Sequence, residues 1–118
     1  MVRLIISGSR DFYDYGVVNE EVCFWWLDHD TPDIEVVSGC ARGVDRLGER
    51  VAGHQGFPVK RFRAKWDKYG KPAGPIRNRK MAKYADALLA FPSKESTGTR
   101  DMIEQAEAAG LDVTVVEI

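Results

Sequence analysis

The sequence predicts an α/β fold: a five-stranded parallel sheet covered by helices on both faces. Three observations lead there. Short apolar runs alternate with helical stretches along the whole chain. Two of the runs, Leu4-Ile5-Ile6 and Ala87-Leu88-Leu89-Ala90-Phe91, are apolar at consecutive positions, as strands buried on both faces must be. Loops of small residues follow the first, second and fourth runs, where strands of such a sheet hand over to helices.

Taken in order, the first strand is Leu4-Ile5-Ile6, stopping at Ser7-Gly8-Ser9. From about Val17 to His29, Val18, Val22, Trp25 and Trp26 recur at helical spacing, and Asp30-Thr31-Pro32-Asp33 breaks that helix. Phe24, Trp25 and Trp26 cannot all face one core. One ring is expected outside, which points to a homodimer or higher homo-oligomer, or simply to an exposed ring. Ile34-Glu35-Val36-Val37 is the second strand. From Arg42 to Gln55 the stripe Val44, Leu47, Val51, Ala52 marks a helix, stopped by Gly56 before Phe57-Pro58. Val59 to Arg63 is the third strand. Trp66 to Pro75 reads as a long loop and Ile76 to Met81 as the opening of a helix, with Pro75 in its first turn. Asp86 to Phe91 holds the fourth strand. A helix starting near Thr99 carries Met102, Ile103 and Ala106 on one face and ends at Gly110, and Val113 to Val116 is the last strand.

The residue types also order the strands. The continuous apolar runs one and four belong in the middle. The third, with Lys60, Arg61 and Arg63, suits an edge, and the fifth, with Thr114, the other. The order 3-2-1-4-5 satisfies this with right-handed crossovers. It places the topological switch point between strands one and four, where open α/β sheets bind ligands.

With 118 residues, the chain fits one domain, residues 1–118. An apolar share of 44% excludes disordered and collagen-like classes. No run approaches the roughly 20 residues that cross a bilayer, so no membrane partner is expected. The start lacks the pattern of a cleaved secretory signal. Cys23 and Cys40 make neither a disulfide framework nor a four-ligand zinc site. Reduced thiols in the cytoplasm, no metal and no cofactor are the expectation. His29 and His54 lie late in helices, where imidazolium suits the dipole.

Charge is uneven. Lys60 to Lys83 holds ten Lys and Arg against Asp67 alone, a charge of +9. The remainder sets seven cations against seventeen carboxylates and carries −10. A basic block in an acidic chain points to a defined anionic ligand or a narrow nucleic-acid track; a solvated basic surface is the plain alternative. Within the block, Arg77 and Arg79 lie near a helix start, where the dipole disfavours cations. They call for an external anion or an acidic side chain such as Asp45. Trp66 and Tyr69 could stack on a base or cover the sheet edge. The loops Ser7-Gly8-Ser9-Arg10, Ser38-Gly39-Cys40-Ala41-Arg42-Gly43 and Ser93 to Thr99 gather at one sheet edge, where helix-start amides attract anions. None matches G-x-G-x-x-G or G-x-x-x-x-G-K-[ST].

Ser38-Gly39-Cys40-Ala41-Arg42-Gly43-Val44-Asp45 resembles the S-G-x-A-R-G-[IV]-D motif of DprA-type Rossmann domains, and Arg77-Asn78-Arg79 resembles their R-N-R. The chain is most similar to the small YspA-like branch of the SLOG superfamily. That branch has an S-G-S-R-x-F start, S-G-x-A-R-G-V-D, K-Y-G-K-x-A-G-P-x-R-N and G-T-R in this order, and here they span Arg3 to Val116. The resemblance implies a Rossmann-like three-layer sandwich that binds a nucleotide or a nucleotide-derived, ADP-ribose-like ligand as sensor, carrier or sequestering module. The expected contacts are Gly8, Ser9 and Arg10 after the first strand, and Ser38, Gly39, Arg42, Gly43 and Asp45 after the second. Trp66, Tyr69, Arg77 and Asn78 follow from the basic block, and Gly98 and Thr99 from the last loop. Related LOG phosphoribohydrolases carry a catalytic glutamate in G-G-x-G-T-x-x-E, and here Met102 stands in that place. Hydrolysis of a nucleoside monophosphate is therefore the alternative rather than the first reading, with Asp101, Asp45 or Asp11 left as acid–base groups. Weak single-stranded DNA binding is the second alternative, by resemblance to DprA.

Overall fold

The computed structural model describes residues 1–31 and 33–118. Pro32, expected to help break the first helix, lies outside the described residues. The strands are β1 (Val2–Gly8), β2 (Ile34–Ser38), β3 (Val59–Arg61), β4 (Ala87–Phe91) and β5 (Asp112–Val115). The helices are α1 (Tyr15–Asp28), α2 (Val44–Gln55), the single turn α3 (Trp66–Tyr69), α4 (Ala73–Tyr84) and α5 (Thr97–Ala108). One sheet, all parallel, has the order β3-β2-β1-β4-β5. In register, Ile5 of β1 stands opposite Val37 of β2 and Leu88 of β4. Among the described residues no helix is long and apolar enough to cross a membrane.

Alternation along β1 splits the core in two. Leu4 and Ile6 pack with Val36, Leu89 and Phe91 under Val18, Val22 and Trp25 of α1 and Val44, Leu47 and Val51 of α2. Ile5 points the other way and packs with Val37, Leu88 and Ala90 under Met81 of α4 and Met102 and Ala106 of α5. The result is a three-layer, Rossmann-like sandwich. Burying a Leu or Ile fully contributes about 1.5–3 kcal/mol relative to exposure. Leu4, Ile5, Ile6, Leu88 and Leu89 are all at most 1% exposed, so the central pair β1–β4 anchors the molecule. The covering helices change faces across that pair, so the sheet leaves a crevice at its carboxyl ends.

Of the three consecutive aromatics of α1, Trp25 is buried, Trp26 packs edge-on against Phe57, and Phe24 is the exposed one. Boundaries moved in places. α1 starts at Tyr15, because the Asp14 carboxylate accepts the Val17 amide at 3.3 Å. β3 ends at Arg61, although the Phe62 amide still donates to the Ser38 carbonyl. The stretch read as a long loop holds α3 and the first turn of α4. Pro75 is the third residue of α4, where no intrahelical partner for its nitrogen is required. α5 starts at Thr97, two residues before the expected point.

Candidate functional site

A cavity of about 940 Å³ opens at the carboxyl ends of β1 and β4, a size typical of small-molecule sites. Its walls are the loops after β1, β2 and β4 together with the starts of α4 and α5. Gly8, Ser9 and Arg10 line it from β1, and Arg42 and Asp45 from the β2–α2 turn. Trp66, Arg77 and Asn78 come from α3 and α4, and Gly98 and Thr99 from α5. Ten of the expected contacts are thus brought together by the fold.

Four are placed elsewhere. Gly39 lines a smaller adjoining hollow of about 390 Å³, with Arg10, Arg42 and Arg77. Ser38 is fully buried. Its hydroxyl donates to Glu49 Oε2 at 2.7 Å and accepts the Cys40 amide at 3.1 Å, so it shapes the turn from beneath. Gly43 is also buried. The Val44 amide beside it donates to the Ser9 carbonyl at 3.1 Å, docking this turn on the β1 loop. Its φ is +78°, and a Cβ there would collide with the Ser9 carbonyl and the Arg10 backbone, so only glycine fits. Tyr69 does not face the cavity; it lines a separate groove beside β3.

The polar side chains at the base form one network. Asp45, 4% exposed, accepts the Ala41 amide at 3.2 Å. Burial pushes its carboxyl up to about 6, against the pull of the Ala41 and Gly8 amides and the Arg77 charge. Arg77 Nη1 donates to the Gly39 carbonyl at 2.6 Å and Nε to Asn78 Oδ1 at 2.9 Å. Burial lowers the Arg77 pKa, and Asp45 counters that. Asn78, 4% exposed, donates from Nδ2 to the Gly98 carbonyl at 3.2 Å and to Asp101 Oδ2 at 3.0 Å. Arg77-Asn78 therefore ties the turn after β2 to the start of α5. A Cβ on Gly39 would lie 2.8 Å from Asp45 Oδ2 and 2.9 Å from Arg77 Nη1, so any larger residue there would push both side-chain ends out of place. Arg77 is met directly by the Gly39 carbonyl and Asn78 Oδ1, while the Asp45 carboxyl acts on it through space without an ion pair. Arg79, in contrast, is exposed on α4.

The rim carries the rest. Arg10 lies over the Trp66 ring at 5.9 Å, and Trp66 is 48% exposed, so it is a wall of the cavity rather than a core ring. Arg42 pairs with Asp11 at 3.3 Å in full solvent. Lys71, Lys94, Ser93 and Thr97 also face in. Lys71 stood inside the basic block and Lys94 inside the loop Ser93 to Thr99, but neither was among the expected contacts. Among the described residues, the Gly98 and Thr99 amides have no protein acceptor, as first-turn amides do not. Met102 is fully buried in the second core cluster and does not line the cavity. The α5 carboxylate that does is Asp101.

The sequence model of the family described as YspA, cpYpsA-related SLOG matches residues 2–69, from β1 through α3. The chain belongs to this SLOG family. It is 38% identical over 119 residues to the Gene 61 protein of Mycobacterium phage D29, covering 96% of this chain and 94% of that protein. Among solved structures, DNA processing protein A (DprA) from Streptococcus pneumoniae superimposes with a TM-score of 0.73 at 21% identity over 97% of this chain. That is a likeness of fold, and this SLOG chain spans about half (49%) of the DprA chain. The family match ends before α4, so it includes the two turns joined by Gly43 but neither Arg77-Asn78 nor Gly98-Thr99.

Proposed function

We propose that the cavity binds a phosphorylated nucleoside or a nucleotide-derived, ADP-ribose-like molecule, and that the chain acts as a sensor, carrier or sequestering module. The observation that carries this reading is the cavity rim. The free first-turn amides of α5 lie there beside Arg10, Arg42, Lys71 and Lys94, at the switch point of a parallel sheet. Helix-start amides and cations suit a phosphate, and Trp66 offers a face to the base. Arg77 contributes its charge from the base of the cavity while holding Gly39. The test is mass spectrometry of whatever co-purifies with the protein, followed by calorimetry with the compound found. A protein that carries no nucleotide and binds neither AMP nor ADP-ribose sinks the reading.

Hydrolysis of a nucleoside monophosphate is the second reading, favoured by one observation: Asp101 faces the cavity with Asn78 holding its carboxylate. Incubation with AMP separates the two. Free adenine released at about 1 per second or faster, and abolished in Asp101→Asn, would make the chain an enzyme. The same proposal takes it as cytoplasmic and as a homodimer or higher homo-oligomer, with Phe24 and Leu27 of α1 both exposed. A monomeric mass by light scattering would remove the oligomer.

A further inference from the structure

The +9 block does not spend most of its charge on the cavity. A groove of about 330 Å³ lies on the other side of α3, beside β3. Three elements build it. Lys60, Phe62, Arg63 and Lys65 come from β3 and the chain after it, Tyr69 from α3 and Lys80 from α4. Arg61 and Arg77 also reach it, and among the described residues no carboxylate lines it. Arg61 is engaged by Glu49 at 3.0 Å and Arg77 by the Gly39 carbonyl. Lys60, Arg63, Lys65 and Lys80 have no carboxylate partner among the described residues.

Charged side chains on an edge strand commonly guard it against pairing with another chain. That accounts for Lys60. It does not account for Lys80, brought in by a helix, nor for an aromatic ring set among the cations. Tyr69 is 38% exposed, and Lys68 Nζ lies 5.1 Å from its ring centroid. Lys68 first, then Lys80 and Lys65, hold its phenol below the usual tyrosine range. Four unpaired cations held in one hollow repel one another, and an anion relieves that repulsion. The ring beside them gives a base a face to stack on. We propose that this groove is a second ligand site, separate from the cavity. It takes a phosphorylated nucleoside with the base on Tyr69 and the phosphate among Arg63, Lys65 and Lys80.

Such a unit is either a free nucleotide or one residue of a single-stranded nucleic acid. The hollow between groove and cavity is lined by Arg10, Arg42, Arg46 and Arg63. It shares Arg63 and Arg77 with the groove and Arg10 and Arg42 with the cavity, so basic side chains run unbroken from one site to the other. A strand could follow that path; a mononucleotide needs only the groove.

The experiment titrates AMP by calorimetry and a fluorescein-labelled twelve-residue oligothymidylate by anisotropy. It uses the native chain, Tyr69→Ala, Lys65→Ala/Lys80→Ala and, for the cavity, Arg10→Ala. The changed side chains are exposed, and a thermal melt checks each fold. If free nucleotide is the ligand, AMP fills two sites in the native chain and one in the groove variants. If a strand is the ligand, Tyr69→Ala weakens the oligonucleotide by about five- to a hundred-fold. The lysine pair then flattens its salt dependence by about 1.4 in the log–log slope, and the AMP site is unchanged. Loss of AMP binding in Arg10→Ala with groove binding intact separates failure of the cavity from failure of the groove. Titrations of both probes that are unaltered in Tyr69→Ala and in the lysine pair overturn the proposal. Should Tyr69→Ala melt early, Lys80→Glu replaces it, with the same two outcomes.

Discussion

The cavity and the groove are both rich in cations, yet they are built in opposite ways. At the base of the cavity the polar side chains are buried or half-buried, and each is hydrogen-bonded. Asp45 holds Ala41, Arg77 holds Gly39, and Asn78 spans Gly98 and Asp101. In the groove Lys60, Arg63, Lys65 and Lys80 stand in water, with no carboxylate partner among the described residues. Buried polar groups are costly when left unmet, so the cavity network sets the shape of three loops and stability depends on it. Exposed charges are screened and contribute little to folding, so they are free to serve a ligand.

The contrast predicts a graded series of effects. Gly43→Ala should be the largest. A left-handed φ and a collision with the Ser9 carbonyl act together where two loops are docked, and a loss of about 3–5 kcal/mol is expected. Urea unfolding measures it; a loss under about 1 kcal/mol would mean that the two loops yield easily. Asn78→Ala comes next. It strips hydrogen bonds from the Gly98 carbonyl, Asp101 and Arg77 Nε, and about 2–3 kcal/mol should go. Nucleotide affinity should fall with it, because the α5 start loses its tether. Unchanged stability would show that water replaces the amide at no cost, and the contrast with the groove would collapse.

Asp45 predicts a pH dependence of the buried region. Its folded pKa, about 6, lies above the unfolded value of about 3.9. Within that window the folded chain keeps a proton on Asp45 that the unfolded chain has released. This contribution to stability is therefore complete below about pH 4 and lost as the pH rises towards 6, by an amount on the order of 3 kcal/mol. Asp45→Asn should remove that slope from a series of melts between pH 4 and 7. A slope identical in the variant would place the proton elsewhere.

Exposed charge gives the smallest effects. Lys65→Ala/Lys80→Ala should leave folding stability within about 0.5 kcal/mol while changing anion binding. His29 is a second exposed case. Both its ring nitrogens face acceptors, the Trp25 carbonyl at 2.8 Å and Asp112 Oδ2 at 2.7 Å, which only the imidazolium satisfies. Burial alone would lower its pKa; the Trp25 carbonyl and Asp112 raise it overall. The pair therefore stabilises below about 6.5 and fades as pH rises through the folded pKa. Partial exposure holds the effect to about 0.2–1 kcal/mol. His29→Gln melts compared at pH 5.5 and 8.5 check it, and a greater deficit at 8.5 would reverse the sign.

Most of the sheet was legible in residue types. Ile5 and Leu88 lie in runs that must be buried on both faces, and Lys60 and Arg61 can stand only at an edge. Ten of the residues lining the cavity were legible, seven because the loops after parallel strands gather at one rim and Trp66, Arg77 and Asn78 from the basic block. Ser38 and Gly43 carry the same residue types for another purpose. Whether a hydroxyl meets a ligand or Glu49 depends on what packs beneath it. Trp66 and Tyr69 are three residues apart, yet they line different hollows. The helical turns hidden in Trp66 to Pro75 were obscured because glycine and proline suppress the usual periodicity.

Strand order, layer arrangement and the position of the crevice were determined by the sequence alone, because burial on two faces, one face or none is written into each short run of residues. Only the tertiary structure decided that Arg77 grips Gly39, thirty-eight positions away, and that Met102 belongs to the core while Asp101 faces the cavity. It alone divided the basic block between a wired cavity and an open groove. A hydrogen bond or an unanswered charge is a relation between elements packed together, and local residue patterns carry no record of which distant group will complete it.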